Sequence, residues 1–173
     1  MYLVYSVETE MDEIRRFTGV CPQHDILWDD LTAREHLDIF ARLKSIPKEK
    51  RAQEIEDRLA DVALTEVGDH LAGSYSGGMK RRLSVAISSI GDPRIIFMDE
   101  PTTGMDPLSK RHVWDLIQEL KKSRVIILTT HSMEEADVLA DRYVLLARNL
   151  TTLDTPINQS IIQSSNQDRK SVV

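Results

Sequence analysis

Apolar residues in this chain recur at two spacings, and the alternation between them predicts the order of its elements. A charged stretch from Glu8 to Arg16 reads as a helix leading into a short strand, Thr18 to Cys21, which is stopped by Pro22 and followed by Gln23. Thr32 and Glu35 stand at capping-box spacing before Leu37, Phe40, Ala41 and the stem of Lys44, and Pro47 breaks that helix. Ile55, Leu59 and Val62 share one face of a second helix, from about Lys48 to Ala63, and a loop with Gly68 and Gly73 closes this helical insertion. From Met79 onward, Leu83, Ala86, Ile87 and Ile90 describe a further helix face, with Ser76, Gly77 and Gly78 at its start.

The run Ile95-Ile96-Phe97-Met98 then enters Asp99, Glu100 and Pro101. Four apolar residues without alternation predict a parallel strand buried on both faces. Leu108 to Lys122 is amphipathic through Val113, Leu116, Ile117 and Leu120, and Val125 to Leu128 reads as a second buried strand. Strand, helix and strand in this order make a βαβ unit with parallel strands, which brings Thr129, Thr130 and His131 to the sheet edge that carries Asp99 and Glu100. Open α/β sheets hold ligands at that carboxyl edge. Two adjacent acids and a histidine there point to chemistry on a phosphate. Ser132 and Glu135 repeat the capping-box spacing before a helix to about Leu139, and Tyr143 to Leu146 is a third short strand. From Asn158 the chain is rich in Gln, Ser and Asn, and a disordered tail is expected over 158–173.

Composition narrows the function classes. The chain's 173 residues fit one domain, and 41% hydrophobic with 29% charged residues is the balance of a globular protein. No apolar run approaches the roughly 20 residues that span a bilayer, so contact with a membrane is expected through partners and not by direct insertion. A net charge of -6 argues against nucleic acid as a partner. The single cysteine, Cys21, allows no internal disulfide, and a reducing, cytosolic setting is expected. The five histidines lack paired Cys/His spacing, so no structural metal is expected. The basic trio Lys80-Arg81-Arg82 reads as a solvated helix face.

Four motifs, in order and spacing, resemble the nucleotide-binding domain of ABC transporters over about Met11 to Thr155. Cys21-Pro22-Gln23 resembles the Q-loop and Tyr75-Ser76-Gly77-Gly78-Met79 the signature motif. Ile95 to Glu100 resembles the Walker B strand with its catalytic acid, and His131 the switch histidine. Thr103-Gly104-Met105-Asp106 is similar to the D-loop. The Cys-Pro-Gln-His-Asp run, the Tyr-Ser-Gly-Gly-Met form of the signature and the stretch from Thr129 to Glu135 resemble the A-type, lipid-exporting subfamily. The resemblance implies an α/β, P-loop NTPase-like ABC ATPase core with a parallel sheet and a helical insertion at about 30–78, incomplete at its N-terminus, within a partial domain of 1–157. It also implies ATP and Mg²⁺ as cofactors. Asp99, with Gln23, would hold the ion, Glu100 would polarise the attacking water, and His131 would contact the γ-phosphate. Ser76, Gly77, Gly78 and Met79 would face the ATP of a second nucleotide-binding domain, and Asp106 would link the two sites. Trp28 and Leu31 are the candidates to touch the membrane domains of a transporter, at the cytosolic face of a membrane.

The family's P-loop, G-x-x-x-x-G-K-[ST], does not occur in these 173 residues; Lys44-Ser45, Lys122-Ser123 and Lys170-Ser171 all lack the preceding glycine. Truncation of the domain is therefore expected, with unpaired strand edges as its structural consequence. A second reading is a non-hydrolytic half-site that offers its signature motif to an intact domain. A third, the ATPase head of an SMC-type chromosome protein, requires a long coiled coil between Gln23 and Ser76, where only two short helices are predicted.

Overall fold

A computed structural model of the chain describes residues 5–144 and 154–156. Three parallel strands lie in the order β1 (Thr18–Cys21), β2 (Ile95–Asp99), β3 (Val125–Thr129). Their register pairs Cys21 with Met98 and Asp99 with Thr129. All three strands thus end together, as the βαβ connection requires. A separate antiparallel pair joins β4 (Arg142–Val144) to β5 (Asp154–Pro156). The expected third strand is present at Tyr143 and Val144, while Leu145, Leu146 and the expected tail at 158–173 lie outside the described residues.

Helix α1 (Met11–Phe17) leads into β1, and α2 (Ala33–Leu43) and α3 (Lys48–Asp61) form the insertion. Two 3-10 turns, Thr65–Val67 and Ala72–Ser74, carry the chain back to α4 (Gly77–Ser89). The Thr32 box is made in full: its hydroxyl accepts from the Glu35 amide, and the Glu35 carboxylate accepts from the Thr32 amide. Leu37, Ala41, Leu59 and Leu64 fill the insertion and continue into the core with Leu83 and Val85 of α4. Helices α5 (Pro107–Leu120) and α6 (Met133–Leu139) complete the fold.

One expectation is corrected and another widened. Neither β2 nor β3 is buried on both faces. Ile96 and Met98 are buried but Phe97 is 43% exposed, and in β3 Val125 and Ile127 are 57% and 41% exposed. An unbroken apolar run specifies a strand, but what packs on each face decides its burial. The α4 face expected through Leu83, Ala86, Ile87 and Ile90 is present, with Ile87 partly buried against the core, but the buried side is wider and takes in Arg81, Ser84, Ser88 and Ser89. Small residues allow a close approach here. A methyl group built on Gly19 of β1 would lie 1.9 Å from the Ser88 carbonyl oxygen, so the glycine is what lets helix and strand touch.

Candidate functional site

Where β2 ends, the backbone turns sharply. Glu100 has φ +43°, a left-handed conformation that costs a non-glycine residue roughly 1–3 kcal/mol. It is held by its amide, which donates to the Thr129 carbonyl at 3.0 Å. The turn leaves Asp99 and Glu100 facing the ends of β1 and β3. Gln23, one residue beyond the proline that stops β1, donates its side-chain amide to Glu100 Oε2 at 3.3 Å. His131 Nδ1 lies 3.0 Å from the same oxygen, and the Thr103 hydroxyl donates to it at 2.7 Å. The Thr129 hydroxyl donates to Asp99 Oδ1. Four residues singled out from the sequence, Gln23, Asp99, Glu100 and His131, are therefore brought to one edge, with three of them meeting at one carboxylate oxygen.

The Glu100 carboxyl is held below its ordinary value, first by the Thr103 hydroxyl, which burial opposes, and then by His131 and Gln23. It is ionised at neutral pH and can take up a proton. The lowering makes it a weaker base than one tuned toward neutrality, so its value to a reaction lies in position more than in basicity.

A second group forms at the start of α4. Ser76 caps the helix, its hydroxyl accepting from the Met79 amide at 3.2 Å. A methyl group built on Gly77 would meet nothing within 4 Å, whereas one on Gly78 would lie 2.7 Å from the Ser109 hydroxyl. Gly78 is thus a packing glycine against α5, and Gly77 leaves backbone open. Asp106 caps α5, accepting from the amides of Leu108 and Ser109 at 3.1 and 3.0 Å, and its carboxyl is lowered first by the Ser109 hydroxyl and then by the Ser109 amide.

Three residues take roles in these contacts that the sequence reading did not assign to them. Arg81 is 5% exposed, and its guanidinium reaches backbone carbonyls after both β1 and β2, so Lys80-Arg81-Arg82 is not a solvated face. Thr103 supplies the shortest hydrogen bond to Glu100 among the described residues. Glu135 departs from its expected capping role. The Ser132 hydroxyl accepts from the Glu135 amide at 3.3 Å, but the carboxylate turns inward to accept from the Thr102 hydroxyl at 2.7 Å and the Trp114 indole at 3.1 Å. Ser84 and Ser88, three and seven residues after Arg81, were the available clue: a polar stripe at helical spacing that continues the arginine toward the sheet.

Among the described residues, no three His, Cys, Asp or Glu side chains gather as a metal cage. Asp99 offers one carboxylate at the site. A single carboxylate suits Mg²⁺, which takes its remaining ligands from water and phosphate oxygens.

The ABC transporter family profile matches residues 4–103. ABC transporter A family member 2 of Arabidopsis thaliana is 62% identical over 138 residues, covering 80% of this chain and 14% of that protein. A family member 1 of Dictyostelium discoideum is 56% identical over 146 residues, covering 83% of this chain and 17% of that protein. The chain thus spans about a seventh to a sixth of the length of the curated relatives it matches. The solved ATP binding subunit of an ABC transporter superposes with a TM-score of 0.68 at 24% identity, over 80% of this chain and 58% of that one, which shows the shared fold. With the family profile matched over more than half its length, the chain belongs to the ABC transporter family, on its A-family branch.

Proposed function

We propose that these residues form the water-activating and partner-facing part of an ABC ATPase domain, whose parent protein couples ATP hydrolysis to transmembrane transport. The convergence of Gln23, Thr103 and His131 on Glu100, beside Asp99, carries this reading. Glu100 orients the attacking water and accepts its proton, Asp99 and Gln23 attend the Mg²⁺, and His131 engages the γ-phosphate. Mg²⁺, when bound, neutralises charge on the terminal phosphates. The phosphate cradle comes from a P-loop outside these 173 residues, so the chain is part of a domain, with 30–78 as its helical subdomain. The open backbone at Gly77 suits close approach of a phosphate from the ATP of a second nucleotide-binding domain, beside Ser76, Gly78, Met79 and Asp106. Half-exposed Trp28 and exposed Ile26 suit contact with a transporter's membrane domains at the cytosolic face. A lipid or another amphipathic molecule as cargo follows from the A-type resemblance.

The test has two parts. The chain alone is expected to show no appreciable Mg-ATP affinity by calorimetry. In a domain where these residues are joined to a P-loop segment, Glu100→Gln is expected to retain ATP binding while turnover falls by about 10² to 10⁴. Wild-type turnover in that variant would remove Glu100 from its role. The missing P-loop motif also favours a second reading, a non-hydrolytic half-site. That reading predicts that the chain stimulates an intact A-family domain when mixed with it, and that Ser76→Arg abolishes the stimulation.

A further inference from the structure

We propose that Arg81 is a positioning residue that sets the approach of Gln23 to Glu100. The proposal rests on the reading above, in which those two side chains form the site. Arg81 Nε donates to the Pro101 carbonyl at 2.7 Å. Nη1 reaches the carbonyls of Pro22 at 2.6 Å and Gln23 at 3.3 Å and the Asp25 carboxylate at 3.1 Å. Nη2 reaches the carbonyls of Asp99 at 3.1 Å and Glu100 at 3.4 Å. One planar fork therefore holds the loop after β1 on one side and the turn after β2 on the other.

The arrangement answers a structural need. Strands that leave a sheet free their last carbonyls, and buried carbonyls require donors. A guanidinium provides five N–H groups in fixed directions, whereas a lysine ammonium is a compact charge on a flexible stem and cannot span two loops in one plane. Asp25 balances the buried charge and is itself oriented by the Ser84 hydroxyl, which donates to it at 2.7 Å. The Gln23 to Glu100 contact, at 3.3 Å, is long for a charge-assisted hydrogen bond. A contact of that length is weak on its own, and its distance is set by whatever fixes the two loops. Arg81 holds the backbone of both residues.

The geometry also fits the path of α4. The helix runs back from the site edge against β1, with Ser88 at Gly19 and Arg81 seven residues nearer its start. Seven helical residues cover about 10 Å, and the two residues from Gly19 to the end of β1 at Cys21 cover about 7 Å. The close contact at Gly19 thus delivers the guanidinium to the strand ends.

Nuclear magnetic resonance of the 173-residue chain tests the proposal without nucleotide. In the wild type, the side-chain amide of Gln23 is expected to shift with pH in step with the Glu100 carboxyl, the pairing being identified by its loss in Glu100→Gln. In Arg81→Met this tracking is expected to fall by more than half, and in Arg81→Lys to fall partly. Ser84→Ala, which keeps the arginine and removes only a hydroxyl, is the variant least disturbing to the fold and is expected to weaken the tracking. Urea midpoints are recorded for every variant. A lowered midpoint with full tracking would mean that Arg81 supports the fold alone, and full tracking in Arg81→Lys or unchanged tracking in Ser84→Ala would also overturn the proposal. Failure of Glu100→Gln to slow ATP turnover would count against the proposed function and leave this result untouched.

Discussion

Gly19→Ala is the substitution for which the structure fixes a magnitude most directly. The added methyl group lies 1.9 Å from the Ser88 carbonyl oxygen and 3.0 Å from its carbon. A carbon and an oxygen sit comfortably no closer than about 3.3 Å, so β1 and α4 must part by roughly 1.4 Å. Both atoms in conflict are tied to backbone, and no rotamer relieves the clash. The cost of parting is spread over the packing beside it, where Cys21, Leu83, Val85 and Ile96 are fully buried. A gap of 0.5–1 Å forfeits about a quarter to a half of each atomic attraction. Overpacking of a core costs about 1–3 kcal/mol, and backbone on both sides puts this site at the upper end, about 3 kcal/mol. With a urea slope of about 2 kcal/mol/M the midpoint falls by about 1.5 M at unchanged slope. Gly78→Ala meets the Ser109 hydroxyl, which can rotate, and is expected to cost less. Gly77→Ala meets nothing and is expected to leave stability unchanged or raise it by up to about 1 kcal/mol. A loss below about 0.5 kcal/mol at Gly19, or a larger loss at Gly77 than at Gly19, would refute the close-packing argument.

Three further outcomes are expected. Thr103→Ala removes the largest single cause of the lowered Glu100 carboxyl, so its midpoint in a carboxyl-labelled titration rises toward 4.5. The sign follows from the lowering: the contribution to stability is present above the unfolded carboxyl's range and is lost as pH falls through the folded value. An unchanged midpoint in Thr103→Ala would contradict the attribution. Burial pushes the Cys21 thiol from 9.0 up to about 11, outweighing the Arg81 charge that opposes it. At pH 8 only about one thiol in a thousand is then ionised, so iodoacetamide labels Cys21 at the rate of unfolding, and the stability due to the neutral thiol is present below pH 9 and lost as pH rises through about 11. Rapid labelling of the folded chain would contradict this. Glu135→Ala leaves Thr102 and Trp114 without their acceptor and is expected to cost about 2–4 kcal/mol. The melting temperature then falls by roughly 5–15 °C, while Glu135→Gln, which keeps an oxygen, loses less; equal losses would argue against the hydrogen bonds.

The parts of this fold that follow from short-range rules could be read in the sequence. The Thr32 box, the stop at Pro22 and the parallel βαβ unit depend on neighbours within one element or on a connection of fixed hand. The meeting of Asp99, Glu100 and His131 followed from the same rule, because parallel strands in one sheet end at one edge, whereas Gln23 was tied to them only by the family resemblance. What could not be read depended on which neighbour arrives. Apolar residues in β2 and β3 indicated strands, but not that Phe97 and Ile127 would face outward. Ser132 and Glu135 stood at capping-box spacing, yet Glu135 is drawn inward because two buried donors, from Thr102 and Trp114, compete for its carboxylate.

The basic trio shows why a run of like charges cannot be read as a unit on a helix. Successive residues are turned by about 100°, so three in a row fan out over most of the circumference. Lys80 turns toward the segment after Gln23 and pairs with Asp29 at 2.9 Å. Arg81 turns toward the sheet edge. Arg82 turns toward the end of α3 and donates to the carbonyls of Val62 and Ala63 at 2.7 and 3.1 Å. Arg81 and Arg82 meet carbonyls where other elements stop, and Lys80 meets a carboxylate of the loop before α2. Their common effect is to fasten α4 to three neighbours within two turns of Ser76. Within that arrangement only Arg81 touches both sides of the site, which is why its replacement is expected to change how Gln23 and Glu100 meet, while replacement of Lys80 or Arg82 is expected to change stability alone.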